Sequence, residues 1–150
     1  MLKNDQSPDK IRKVALALDR ALEEKNLDLV TSKFADDCSV ELLNVELFGK
    51  EGVKKWFNWL FKHVAEIKLM PVTIMVNGDT FFEEYIVKAK LYDDEQTSSK
   101  QAEVLVFESY QIKKLRIYFD RLDFASSVAK NIISKTIVKE LIKKSIDDLI

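Results

Sequence analysis

One cysteine, one histidine, two prolines and three glycines are all that this 150-residue chain holds of the residue types from which most short catalytic motifs are built. The glycines, Gly49, Gly52 and Gly78, do not combine into a phosphate-cradling loop or a dinucleotide fingerprint, so no nucleotide cofactor is expected. Cys38 has no partner for an internal disulfide, which favours a reducing compartment, and it reads as a small buried apolar residue. With His63 as the single histidine, the chain lacks the donors of a transition-metal site, and no metal is expected. Neither sign of charge is in excess: 24 Lys and Arg stand against 25 Asp and Glu. The basic residues are spread rather than massed, so no nucleic-acid footprint is indicated. No apolar run approaches membrane-spanning length, and MLKNDQSPDK at the start has no apolar signal segment. There is no Asn-x-Ser/Thr acceptor either. These absences predict a cytoplasmic protein working without cofactor, nucleic acid or membrane.

What is present reads as a globular chain. Hydrophobic residues at 47% and charged residues at 33% suit one domain with a solvated surface. Its organising stretch is residues 70–94, MPVTIMVNGDTFFEEYIVKAKLYDD. Two strand-like runs flank Asn77-Gly78-Asp79. Asn-Gly between such runs signals a hairpin, because its central residues take positive φ.

Ahead of the hairpin, Ser7-Pro8-Asp9 opens a helix: Ser7 as cap, Pro8 at the first position, Asp9 at the positive dipole end. Ile11, Val14, Ala15, Leu18 and Leu22 share its apolar face. A short second helix follows, burying Leu27, Val30 and Phe34. Ala35-Asp36-Asp37 reads as a turn and residues 38–43 as a short strand with Val40 and Leu42 on one face. Residues 50–64 form a third helix with an apolar face of Val53, Phe57, Leu60, Phe61 and Val64, flanked by Trp56 and Trp59. His63, near its C-terminal end, suits the dipole there. After the hairpin, residues 93–100 read as a polar loop, 101–110 as a third long strand, and 112–120 as a fourth. The fourth alternates Leu115, Ile117 and Phe119 against Lys114, Arg116 and Tyr118. Beyond Leu122 the chain is helical through Ile150. Val128, Ile132, Ile142, Ile146 and Ile150 lie on one side of that helix, and Ile133, Ile137 and Leu141 on the other, so it calls for two partners.

Helices segregated from an antiparallel sheet make an α+β domain. A strongly curved sheet with helices on its concave face would enclose a pocket. Glu83 is the leading candidate for chemistry there. Its strand face reads Phe81, Glu83, Tyr85, Val87, Ala89, Leu91, while the opposite face carries Glu84, Lys88 and Lys90. A lone carboxylate among apolar neighbours is desolvated and its pKa raised, as a general acid or base requires. Tyr85 could donate a hydrogen bond to a ligand carbonyl or developing oxyanion. The alternative for Glu83 is an ion pair with Lys or Arg, or a place at the wet rim of the sheet. Leu18, Val40, Leu42, Phe57, Phe61, Val87, Ile117 and Phe119 are the candidate ligand-binding wall.

Three stretches carry a family resemblance: FADDCSVE at 34–41, FGKEGVKKWF at 48–57 and KKLRIYFD at 113–120. In this order and spacing they resemble the SnoaL-like branch of the NTF2-like superfamily. The resemblance covers residues 9–123. It divides the chain into a SnoaL-like domain, 1–125, and a C-terminal helical extension, 126–150, packing on the same domain or on a dimer partner. It implies a cone-shaped sheet closed by N-terminal helices around an apolar pocket, commonly in a homodimer. It also implies chemistry of the ketosteroid isomerase, polyketide cyclase or epoxide hydrolase kind, or plain ligand binding. The catalytic sets do not carry over. The isomerase base would fall at Leu42. The hydrolase Arg and Asp would fall at Tyr85 and Val87, and its second Asp at Ile117. The expected function is therefore binding of a small, mostly apolar molecule. The alternatives are a cofactor-free isomerase, cyclase or hydrolase using Glu83, and a protein-interaction or dimerisation module.

Overall fold

The computed structural model describes residues 6–125, 129, 131–147 and 149. The expectations placed on Val128, Ile150 and the first five residues lie outside these. Helix α1, Pro8–Glu23, starts where Pro8 fits the first turn, and Ser7 precedes it without a side-chain capping bond. Helix α2, Leu27–Ser32, is capped by Asn26, whose side chain accepts from the Leu29 N–H at 3.0 Å. Strand β1, Phe34–Leu42, begins earlier than the sequence pattern suggests. Asp36 and Asp37 lie on it rather than in a turn, held outward by Lys50 at 3.1 Å and by Lys113 respectively. A tight reversal leads to β2, Val45–Phe48, and directly to helix α3, Gly49–His63.

Strand β3, Val64–Asn77, leaves α3 without a loop and turns into β4, Thr80–Leu91. Asn77 pairs with Thr80, so Gly78 and Asp79 are the central residues of the turn. Of these Gly78 takes the positive φ, 57°, the Gly-first form of a two-residue hairpin rather than one centred on Asn77-Gly78. Strand β5, Gln96–Glu108, starts well inside the stretch that reads as a polar loop. Its register explains this: Gln96 pairs with Lys90, leaving only residues 92–95 for the connection. Strand β6, Gln111–Phe119, leads to a 3-10 turn, Arg121–Phe124, and the last helix is α4, Ile132–Lys144.

The six strands run in the order β2-β1-β6-β5-β4-β3. All pairs are antiparallel except β1 with β6, which is parallel, so the sheet is mixed. Helix α3 touches β1 and β2 at one side of this order and β3 at the other. Residues of β1, β3, β4, β5 and β6 line one cavity together with residues of α1 and α3, so the strands curl around the helices. Both edges are disrupted: β2 is short, and β3 carries Pro71 beside a break in register. The core lies between the sheet and α1 and α3, with Ile11, Leu18, Phe34, Phe81, Leu105 and Leu115 fully buried.

Candidate functional site

The curled sheet leaves a cavity of about 350 Å³. Helix α3 presents Trp56, Trp59, Leu60 and His63 to it. These positions, spaced by three and four, form one helical stripe. The sheet contributes successive cross-strand rows. In one row Ile74 of β3 faces Glu83 of β4, Glu103 of β5, Ile117 of β6 and Leu42 of β1. The next row sets Tyr85 beside Gln101 and Phe119. The wall is mostly carbon, and its polar groups gather where α1 crosses the sheet: Asp19, Tyr85, Gln101 and Glu103. Trp59, His63 and Arg121 line it from exposed positions.

The dominant feature is three carboxyl groups with one oxygen of each within 4.8 Å of the others: Asp19, Glu83 and Glu103. They are 9%, 1% and 4% exposed. Asp19 Oδ2, Glu83 Oε1 and Glu103 Oε1 have no hydrogen-bond partner. Among the described residues, no ion pair reaches any of the three. Two glutamates directly opposite on neighbouring strands repel when ionised, and burial compounds the cost. The group answers by holding protons. Burial, then the Glu83 charge and a hydrogen bond to Glu83, push Asp19 up to about 8. Burial raises Glu83, partly offset by the bond from Asp19. Glu103 is held well above the usual carboxylate range by burial and by Asp19 and Glu83 beside it. Tyr85 is pushed up by burial and the same carboxyls, so its phenol stays a donor. It donates to Gln101 Oε1 at 3.2 Å and lies against Glu103. Ser99, also buried, donates to Asp123 Oδ2 at 2.6 Å, fastening the 3-10 turn to β5.

Of the residues singled out from sequence, Tyr85, Leu42, Val87, Ile117 and Phe119 line the cavity. Glu83 is buried without a basic partner, yet it is not on the wall. It lies behind Asp19 and Glu103, which are. Leu18, Val40, Phe57 and Phe61 belong to the core and do not line the cavity. Val40 falls in the row of Phe81, Leu105 and Leu115, one layer below the carboxyls. Phe57 and Phe61 meet in a tilted ring contact at 4.7 Å on a different stripe of α3 from Trp56, Leu60 and His63. Sequence reasoning missed Asp19 and Glu103. The signal for Glu103 was its place in the buried alternation Glu103, Leu105, Phe107. That for Asp19 was its position four residues after Ala15, at the margin of the α1 stripe.

Three carboxylate oxygens could touch a metal ion, with water completing the roughly six to eight oxygens that a hard divalent cation takes. Beyond Tyr85 and Gln101 the surrounding wall offers mainly hydrocarbon. The arrangement is better suited to giving and taking protons, or to facing a cationic group, at the end of an apolar chamber.

No protein-family model matches the chain, and no match was found among curated proteins. Solved structures do match. An NTF2-like protein of unknown function from Burkholderia pseudomallei is 17% identical over 74% of this chain and 91% of its own, with a TM-score of 0.68. A protein with a ketosteroid isomerase-like fold from Catenulispora acidiphila, in complex with trimethylamine, is 14% identical over 77% and 91%, with a TM-score of 0.70. A provisionally assigned SnoaL-like polyketide cyclase from Jannaschia sp. CCS1 is 13% identical over 85% and 99%, with a TM-score of 0.73. The chain therefore has the NTF2-like fold, in the form shared by ketosteroid isomerase-like and SnoaL-like proteins. No helix among the described residues is long and apolar enough to cross a membrane.

Proposed function

We propose that the protein binds a small, mostly apolar molecule in the cavity, with the molecule's polar end against Asp19, Tyr85, Gln101 and Glu103. The observation that carries this is the composition of the chamber. Its volume of about 350 Å³ falls in the range of small-ligand sites, with hydrocarbon walls and a few convergent polar groups at one end. The Catenulispora acidiphila protein of similar fold, solved in complex with trimethylamine, is consistent with a small-molecule role. Val87→Trp, which fills the chamber from β4, tests the reading. It should abolish binding of a neutral apolar probe such as cyclohexylmethanol, followed by ligand-observed NMR, while unfolding stays cooperative. Undiminished binding would place the probe elsewhere.

A second reading is cofactor-free isomerase, cyclase or hydrolase chemistry, favoured by proton-holding carboxyls beside a phenol donor. The acid–base group on the wall is then Glu103 or Asp19, with Tyr85 as oxyanion donor. Glu83 exchanges protons with substrate only through them. Turnover of a ketone or epoxide panel that survives Glu103→Gln and Asp19→Asn unchanged would remove this reading. In either case the setting is cytoplasmic and the assembly a homodimer. Exposed Ile133, Ile137 and Leu141, spaced as one stripe of α4, are the surface for a second copy. Sedimentation of Ile137→Lys tests that contact, with dissociation expected and unchanged mass counting against it.

A further inference from the structure

The carboxyl end of the cavity has a charge requirement that a neutral guest does not meet. Asp19 and Glu103 stand on the wall with orphaned oxygens, and Glu83, with another, lies behind them. Each side chain is more than nine-tenths buried. The nearest candidates for a counter-charge on the wall are committed or peripheral. Arg121 donates its guanidinium to the Leu43 carbonyl at 2.9 Å, and His63 is exposed on the last turn of α3.

We propose that the cavity takes an organic cation, a molecule with an apolar body and one ammonium group seated against Asp19 and Glu103. This rests on the small-molecule reading above and names the chemical class. An ammonium brings up to three N–H donors to oxygens that lack partners, and a positive charge to carboxyls that lack a counter-ion. Its apolar body lies along Leu42, Val87, Ile117 and Phe119. The indoles of Trp56 and Trp59 add surfaces that attract cations. A ketone or alcohol needs one donor or acceptor, which Tyr85 or Gln101 already provides, and leaves the three carboxyls unexplained. A divalent metal ion would need water to complete its oxygen ligands, because the rest of the wall is mainly hydrocarbon.

Seating a cation turns protonated carboxyls into carboxylates, so binding releases protons to solvent. The groups facing the site are Asp19 from α1, Tyr85 from β4, Gln101 and Glu103 from β5 and Arg121 from the 3-10 turn, with Glu23 and Glu83 acting on Asp19 from off the wall. His63 faces it from α3, while β6 offers only Ile117 and Phe119. Glu23 is engaged by the Leu69 N–H at 2.8 Å. Affinity for a cation should therefore rise with pH as the carboxyls lose their protons.

The full chain is titrated by calorimetry and ligand-observed NMR with cyclohexylmethylamine and, separately, with cyclohexylmethanol. The amine stays charged from about pH 6 to pH 8, because an alkylammonium titrates near the lysine value of about 10. At pH 8 the amine should bind about ten-fold or more tighter than the alcohol, a difference of roughly 1.4 kcal/mol. Its affinity should climb from pH 6 to pH 8, with a heat that depends on the buffer's ionisation enthalpy. Glu103→Gln should weaken the amine by far more than the alcohol and so remove most of the amine's advantage. Asp19→Asn provides the same comparison should Glu103→Gln fail to fold, and the pH series needs no variant. An amine no tighter than the alcohol, or one indifferent to both substitutions, overturns the proposal. If the alcohol then still binds and Val87→Trp abolishes it, the small-molecule reading survives alone. If neither probe binds, both fall. Manganese binding that needs Glu103 and is not displaced by the amine also overturns it, in favour of a metal site.

Discussion

The cavity end of the sheet and the C-terminal helix depart from ordinary residue partition in opposite directions. Inside, Asp19, Glu83 and Glu103 are carboxyls shut away from water. Outside, on α4, Ile133 is 73% exposed and Ile137 and Leu141 are each 54% exposed. Buried carboxyls without partners destabilise the fold that contains them. Exposed aliphatic groups cost the folded chain little, because they are as wet unfolded as folded. The first departure is held in place by the core around it, so the fold itself bears the cost of keeping three acids together. The second rests on a helix capped by Asn131, whose side chain accepts from the Ser134 N–H at 2.8 Å. That helix is tied to the body by an exposed pair, Lys135 with Glu95 at 3.5 Å. A departure maintained at a cost to the fold points to a site, and one maintained at no cost points at most to a surface.

The largest expected effect separates the two regions by the same kind of substitution. Phe81→Ala removes a fully buried ring from the layer below the carboxyls and should cost about 3–5 kcal/mol in denaturant unfolding. Ile133→Ala should stay within about 0.5 kcal/mol. Comparable losses would mean that α4 is packed as tightly as the core and would break the comparison.

Next in size is the carboxyl group itself. Glu103→Gln keeps the shape but removes an ionisable group from beside Asp19 and Glu83. It should raise stability at pH 8 by roughly 1–3 kcal/mol. A loss of stability instead would show Glu103 to be satisfied where it stands.

A graded effect follows pH. Asp19 is raised from 3.8 to about 8, and Glu83 and Glu103 are raised as well. The folded chain therefore binds protons that the unfolded chain has already lost. Stability from this cluster is fully present below the unfolded values and declines as pH rises through the folded ones. Unfolding free energy should fall between about pH 5 and pH 9, and less steeply in Glu103→Gln. Asp37, lowered by its bond to Lys113, acts below that window and in the opposite sense. A flat profile in the wild type would contradict the cluster.

Most of the fold was legible in the sequence because its periodicities are clean. The β4 alternation alone placed Glu83 inside and Glu84 outside, where Glu84 accepts from Thr73 at 3.0 Å. Shifting the turn from Asn77-Gly78 to Gly78-Asp79 did not disturb that assignment, since packing of Phe81, Tyr85 and Val87 decides the face. Glu103 was lost for a different reason. The polar run before it reads as a loop, and without β5 pairing back to Gln96 there is no register to set Glu103 opposite Glu83. Asp19 and the stripe of Trp56, Leu60 and His63 depend on how α1 and α3 roll against a curled sheet. A helix with two apolar stripes does not reveal which one meets a void. The parallel β1–β6 pair was invisible because it joins strands far apart in the chain.

The smallest effect on stability belongs to the outer region. Ile137→Ser should change unfolding free energy by no more than about 0.5 kcal/mol while weakening self-association in sedimentation. A large loss of stability with unchanged mass would reassign α4 from a surface between copies to part of the domain.

The most direct measurement is an NMR titration of the side-chain carboxyl carbons across the chain. Asp19, Glu83 and Glu103 should keep protons where exposed carboxylates have lost theirs, with Asp19 titrating near 8 and their transitions coupled. Three independent transitions in the ordinary range of about 4 would mean that water already reaches these groups, and would contradict the buried cluster on which the acid–base reading and the cation proposal rest.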